Sequence, residues 1–147
     1  MAVAEPATDT ASRDVPGWVP KWFYAAAVYN VLWGGFAILF PNLAFELSGA
    51  PLPQYPSLFQ CIGMIVMVYA LGYYYIARDP VRYAPFVWIG LLGKTFGPIG
   101  FVYAVWAGEL PLVFGVNILF NDLIWWPAFW IFALRYARDP LLLKSPK

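Results

Sequence analysis

From Tyr83 to Leu134 the chain reads YAPFVWIGLLGKTFGPIGFVYAVWAGELPLVFGVNILFNDLIWWPAFWIFAL, and Lys94, Glu109 and Asp122 are its only charged residues. A hydrocarbon core about 30 Å thick takes about 20 helical residues at a rise of about 1.5 Å each. The stretch is therefore long enough for two crossings, and Glu109 falls where Gly108 and Pro111 mark a turn between them. Lys94 and Asp122 are left inside the two predicted spans, 83–107 and 112–134.

Working outward, the segments 21–40 and 57–77 are also long and apolar enough to cross. The predicted fold class is all-α, a bundle of four transmembrane helices. Composition agrees: 12% charged and 62% hydrophobic residues lie far from the roughly 25% charged average of soluble domains. Period-two alternation is absent, and backbone groups in lipid must be satisfied within the segment, so helices and not barrel strands are expected. The helical domain is placed at 21–140, between tails at 1–20 and 141–147.

Eight of the nine basic residues fall on one side of this layout: Arg13, Lys21, Arg78, Arg82, Arg135, Arg138, Lys144 and Lys147. The opposite loops carry only Glu46 and Glu109. By the positive-inside rule both termini are predicted to be cytoplasmic, in a cell membrane, the inner membrane if the source is bacterial. The opening MAVAEPATDTASRDVPGWVP has no apolar run, so it reads as a disordered tail without a cleavable signal, and the first span serves as the insertion signal. Residues 41–47 predict a short interfacial helix begun by Pro41 and stopped near Gly49. The tetrapeptide Ala77-Arg78-Asp79-Pro80 recurs as Ala137-Arg138-Asp139-Pro140. It reads either as a trace of duplication or as a generic helix stop, since proline cannot continue a helix.

Depth counting draws the chemistry together. Lys94 lies eleven residues after Tyr83 and Asp122 twelve before Leu134, so both sit about 16 to 18 Å from the same end. An unpaired Lys or Asp at mid-bilayer costs on the order of 2.5 to 3.5 kcal/mol, so each needs a partner or a watery cavity, and pairing is expected. Asn30, Asn121 and Thr95 fall near this tier, and Gln60, Cys61 and Asn117 form another closer to the opposite end. Together they predict a polar track closed by Trp125 and Trp126, with Trp126 shielding the ion pair or offering its face to a cation; ordinary aromatic packing of the bundle is the favoured account of the tryptophans. Candidate ligand-binding residues are thus Asn30, Gln60, Lys94, Asn117, Asn121, Asp122, Trp125 and Trp126, with Lys94 and Asp122 the candidates for catalysis.

Gly90, Gly93, Gly97 and Gly100 form a stripe at intervals of three and four, on which a protein partner or a second copy could approach closely. Pro98 and Pro127 each remove a helical hydrogen bond, which predicts kinks beside Lys94 and after Leu123. Histidine is absent, so imidazole-ligated haem, the usual zinc sites and His-based acid–base catalysis are excluded. No metal site and no cofactor is expected. Cys61 is the single cysteine, which leaves no intramolecular dithiol and only a weak reading as a peroxide-reactive thiol. No basic nucleic-acid patch or phosphate loop is present, so membrane lipid is the expected environment and partner.

At Gly90–Gly100, GLLGKTFGPIG, and Asn121–Phe129, NDLIWWPAF, the chain resembles small bacterial multipass proteins of uncertain function, similar to the DoxX-like four-helix proteins. The resemblance spans about residues 24–134. Some relatives carry the name alkyl hydroperoxide reductase, which implies a redox dithiol that this sequence lacks. A more remote similarity is to sterol-isomerase-like four-helix membrane folds, whose pockets use buried acids and tryptophans. Two functional readings follow. In one, the chain is an accessory or binding subunit in which Lys94 and Asp122 lock two helices together, so that exchanging the two charges restores a fold lost in single variants. In the other, it is a membrane enzyme or carrier for a lipid- or isoprenoid-like molecule, with the amine and the carboxylate as proton donor and acceptor.

Overall fold

Three unbroken helices and one interrupted helix make up the four spans, in a computed structural model that describes residues 15–137. In chain order the elements are α1 (Trp18–Leu39), α2 (Leu43–Ser48), α3 (Pro56–Arg78), α4 (Phe86–Trp106), α5 (Gly115–Asn121) and α6 (Trp126–Tyr136). Single 3-10 turns, Leu112–Phe114 and Leu123–Trp125, precede and follow α5. The described residues contain no strand. Expectations for residues 1–14 and 138–147, including the second Arg-Asp-Pro stop, lie outside the described residues.

The helix ends follow local chemistry. α1 starts at Trp18 and not at Lys21, because Pro20 falls in the first turn, where a missing N–H costs nothing. α2 ends on Gly49 in the left-handed conformation, φ 67, which glycine adopts without steric penalty. α3 opens on Pro56 and stops at Asp79, whose carboxylate accepts the Arg82 backbone N–H at 3.0 Å. α4 runs through Pro98 and begins at Phe86, after Pro85 at the cap, three residues later than expected.

The fourth span departs furthest from expectation. A continuous helix with a kink was predicted; instead the chain leaves the helix at Asp122, φ −121 and ψ −59, and re-enters it at Trp126. Pro127 explains the position of the break. It has no N–H for the Leu123 carbonyl and its ring crowds that carbonyl, so the preceding turn tightens to 3-10 and Trp126 bonds Leu123 instead.

α1 and α3 form the tightest pair. Ala26, Ala27, Gly34 and Ala37 face Gly63 and Ala70, all buried, and at the crossing the two backbones nearly touch. A methyl group added at Gly34 would stand 2.5 Å from the Gly63 carbonyl oxygen. Small residues permit this approach, and dispersion together with interhelical hydrogen bonds then holds it in lipid. Asn30 Nδ2 donates to the Val66 carbonyl at 3.2 Å and Gln60 Nε2 to the Ile38 carbonyl at 2.8 Å.

At the end where the described chain starts and stops, aromatic rings fill the bundle. Phe23 of α1 lies 4.8 Å from Phe129 and 4.9 Å from Phe132 of α6, while Tyr73 of α3 meets Phe129 edge-on at 5.0 Å. Trp88 Nε1 donates to the Ala137 carbonyl at 2.7 Å, fastening the start of α4 to the end of α6. Outside, large apolar side chains such as Leu39, Val68, Val102 and Trp106 are exposed. The most apolar windows of the spans are only 22% to 33% buried, a surface suited to lipid and far beyond the apolar patches of soluble monomers.

Candidate functional site

Among the described residues the buried charged side chains are Lys94 and Asp122, at 4% and 5% exposure. The expected juxtaposition is present, with Nζ 3.8 Å from Asp122 Oδ1. That separation is an ion pair without a hydrogen bond. The closer partner of Nζ is the backbone carbonyl of Asn121, at 2.5 Å.

The break in the fourth span creates this arrangement. Ending α5 at Asn121 strips its last carbonyls of helical partners. Two are captured by side chains: Lys94 takes Asn121, and Trp125 Nε1 takes the Phe120 carbonyl at 3.0 Å. A cation at a helix C-terminus also complements the partial negative charge of the aligned peptides. Lys94 is thus a cap supplied by α4 to α5. Asp122 comes next in the chain, and Gly97 makes room for it: a methyl group on Gly97 would lie 2.8 Å from Asp122 Oδ2. Asn121 Nδ2 donates to Asp122 Oδ1 at 3.1 Å.

Aromatic faces close one side. Lys94 Nζ is 6.0 Å from the ring centroids of both Tyr73 and Trp125, at the edge of cation–π range. Trp125 is held by Trp22 at 5.5 Å and Tyr29 at 5.3 Å in addition to its hydrogen bond. Replacing Trp125 with Phe keeps an aromatic ring but removes the indole N–H and leaves the Phe120 carbonyl unpaired, which is expected to cost about 1 to 3 kcal/mol. The midpoint of thermal unfolding in detergent measures it, and an unchanged midpoint contradicts the capping role.

On the other side the pair faces open space. A cavity of about 210 Å³ is lined by Lys94 and Asp122 with Asn30, Tyr69, Gly93 and Asn121, and it reaches the surface at Ile62 of α3. Behind its wall, buried polar atoms are incompletely matched. Asn121 Oδ1 is buried without a hydrogen bond, and the Tyr73 hydroxyl lies near Asn30 without a properly formed one. Buried polar atoms are seldom left so, because each unmatched one costs about 1 to 3 kcal/mol.

The six predicted site residues besides the pair do not all gather at the cavity. Asn30 and Asn121 line the cavity, whereas Gln60 is tied to the Ile38 carbonyl and Asn117 Oδ1 accepts the Trp33 indole N–H at 2.9 Å. Asn117 lines a separate hollow of about 340 Å³ beside α2, so the outer polar tier is not continuous with the inner one. Trp125, and not Trp126, presents its face to the lysine; Trp126 Nε1 is buried without a partner. Cys61 is exposed on the outside of α3. The glycine stripe of α4 is used within the chain at three positions: methyl groups there would strike Tyr73 at Gly90, Tyr69 at Gly93 and Asp122 at Gly97, while Gly100 meets nothing within 4 Å. Tyr69 was missed, although it sits four residues before Tyr73 and so shares its helix face.

Compared with known proteins, the chain matches no family model, no curated protein and no solved structure.

Proposed function

We propose that this protein holds a lipid- or isoprenoid-like small molecule inside the membrane, as a carrier or an enzyme, at the break in its fourth span. The observation that carries the reading is the cavity of about 210 Å³ onto which both buried ionisable side chains open. A pair serving adhesion alone is expected to be closely packed and hydrogen-bonded, because desolvating two charges is offset only by good geometry. Here each group is hydrogen-bonded to Asn121 and not to the other, at a separation of 3.8 Å, with unmatched polar atoms beside them. An amine and a carboxylate on one cavity wall can donate and accept a proton at a bound head group.

The same reading treats the chain as kin to the DoxX-like four-helix membrane proteins, on the strength of GLLGKTFGPIG and NDLIWWPAF. It places both termini in the cytoplasm, because Lys21, Arg78, Arg82 and Arg135 cluster at one end, and in a bacterium the membrane would be the inner one. A redox role through the lone Cys61 has no second thiol in this chain to support it.

The accessory-subunit reading rests on a different observation, the capping of α5 by Lys94, which ties α4 to the fourth span. Native mass spectrometry with lipid extraction, on wild type beside Asp122→Asn, separates the two. Retention of one defined small molecule by wild type and its loss in a folded Asp122→Asn variant is the expected result. A bare wild type, with an equally bare but less stable variant, would overturn the pocket and leave the staple.

A further inference from the structure

The cavity at Lys94 has an apolar neighbour. Between α3 and α4 a groove of about 260 Å³ is lined by Val68, Leu71, Tyr75, Phe86 and Ile89, with no charged side chain on its wall. Tyr69 borders both spaces, and Gly90 and Gly93, one turn apart on α4, lie on the groove and the cavity respectively. The ring of Tyr69 lies across Gly93, where an added methyl group would meet it at 2.9 Å. Groove and cavity thus adjoin along the α3–α4 seam at the partly buried Tyr69.

Head-group chemistry follows from the inner walls. Lys94 and Asp122 sum to zero charge whether the proton resides on the amine or has passed to the carboxylate. A carboxylate or phosphate head would add uncompensated negative charge beside Asp122, and burying such a charge is costly. The charged groups on the cavity wall are one donor, the Lys94 amine, and one acceptor, the Asp122 carboxylate. A ligand hydroxyl can donate to Asp122 and accept from Lys94.

We propose that the ligand is an uncharged, single-chain amphiphile bearing a hydroxyl head, which enters from the lipid between α3 and α4, leaves its tail in the groove and passes its head beyond Tyr69 to Lys94 and Asp122. Size fits one chain: the two spaces together fall within the range of about 300 to 1,000 Å³ usual for small-molecule sites, too little for a two-chain phospholipid. The proposal rests on the pocket reading above and adds to it the ligand's charge, its shape and its path.

A dodecanol carrying a diazirine at the tail end, and the matching dodecanoic acid, serve as photolabelling probes on the full chain in nanodiscs. The alcohol is expected to label saturably, in competition with plain dodecanol, on peptides containing Val68–Tyr75 and Phe86–Gly90. The acid should label about tenfold more weakly, a difference on the order of 1.4 kcal/mol. Ile89→Trp fills the groove from its exposed side without touching the core, and should lower the alcohol's labelling about tenfold at an unchanged unfolding midpoint. Stronger labelling by the acid, lost in Asp122→Asn, would overturn the head-group assignment and leave the pocket standing. Labelling spread over every lipid-facing helix and indifferent to Ile89→Trp would overturn the path. Absence of saturable labelling by either probe, with a bare protein in the mass spectrometer, would remove the pocket itself.

Discussion

Lys94→Met is expected to destabilise the protein by about 3 to 5 kcal/mol, the usual cost of leaving one member of a buried ion pair without its partner. Two groups lose their partner at once: the Asp122 carboxylate its counter-charge at 3.8 Å and the Asn121 carbonyl its donor at 2.5 Å. The distances set the order of the related variants. Asp122→Asn keeps the lysine on its carbonyl and should be markedly milder than Lys94→Met. The double variant Lys94→Met with Asp122→Asn should recover the part due to the stranded carboxylate, yet stay about 1 to 3 kcal/mol below wild type because the Asn121 carbonyl remains unpaired. Exchanging the charges, Lys94→Asp with Asp122→Lys, should therefore not restore the fold, contrary to the expectation from pairing alone. A carboxylate at position 94 cannot donate to a carbonyl. Chemical or thermal unfolding in detergent ranks all four, and full rescue by the exchange would show that the cap on α5 contributes nothing.

Gly34→Val should be at least as damaging, at or above about 3 kcal/mol, the upper part of the range for overpacking. The obstacle is backbone: even a methyl group at Gly34 would stand 2.5 Å from the Gly63 carbonyl and crowd Met67, and no rotamer change moves a carbonyl out of a packed helix. Because α1 and α3 carry Asn30 and Tyr69 to the cavity, forcing them apart also opens the site. Gly35 supplies the control. It is adjacent in sequence but has nothing within 4 Å, so Gly35→Ala should be neutral or slightly stabilising through better helix propensity. Comparable losses in both variants would mean that the seam between α1 and α3 is not where the structure places it.

The sequence made some of this legible and hid the rest for identifiable reasons. Hydropathy and length locate four crossings because lipid tolerates little besides apolar helix over about 20 residues. Counting along two antiparallel helices was enough to bring Lys94 and Asp122 to one depth. What counting could not supply is rotation and tilt, which packing sets. Gln60 and Asn117 were therefore placed on the same track as the pair, whereas each is consumed by a separate link between elements. Pro127 announced a disturbance, but a kink and a full break differ in whether outside donors exist for the freed carbonyls. Those donors, Lys94 Nζ and Trp125 Nε1, come from a neighbouring helix and from the turn itself. The glycines of α4 drew notice for their regular spacing. The backbone-to-backbone approach is instead at Gly34 and Gly63, within less regular runs of Ala and Gly on α1 and α3.

Density in the cavity, from a structure determined in a nanodisc of native lipid, tests the central claim most directly. The expected result is elongated density that begins between α3 and α4, passes Tyr69 and ends within hydrogen-bonding distance of Lys94 and Asp122. A closed interior, with Tyr69 and Asn30 packed onto Lys94 and the carboxylate drawn into a hydrogen bond with Nζ, would contradict it and leave the pair as a fastening of the fourth span.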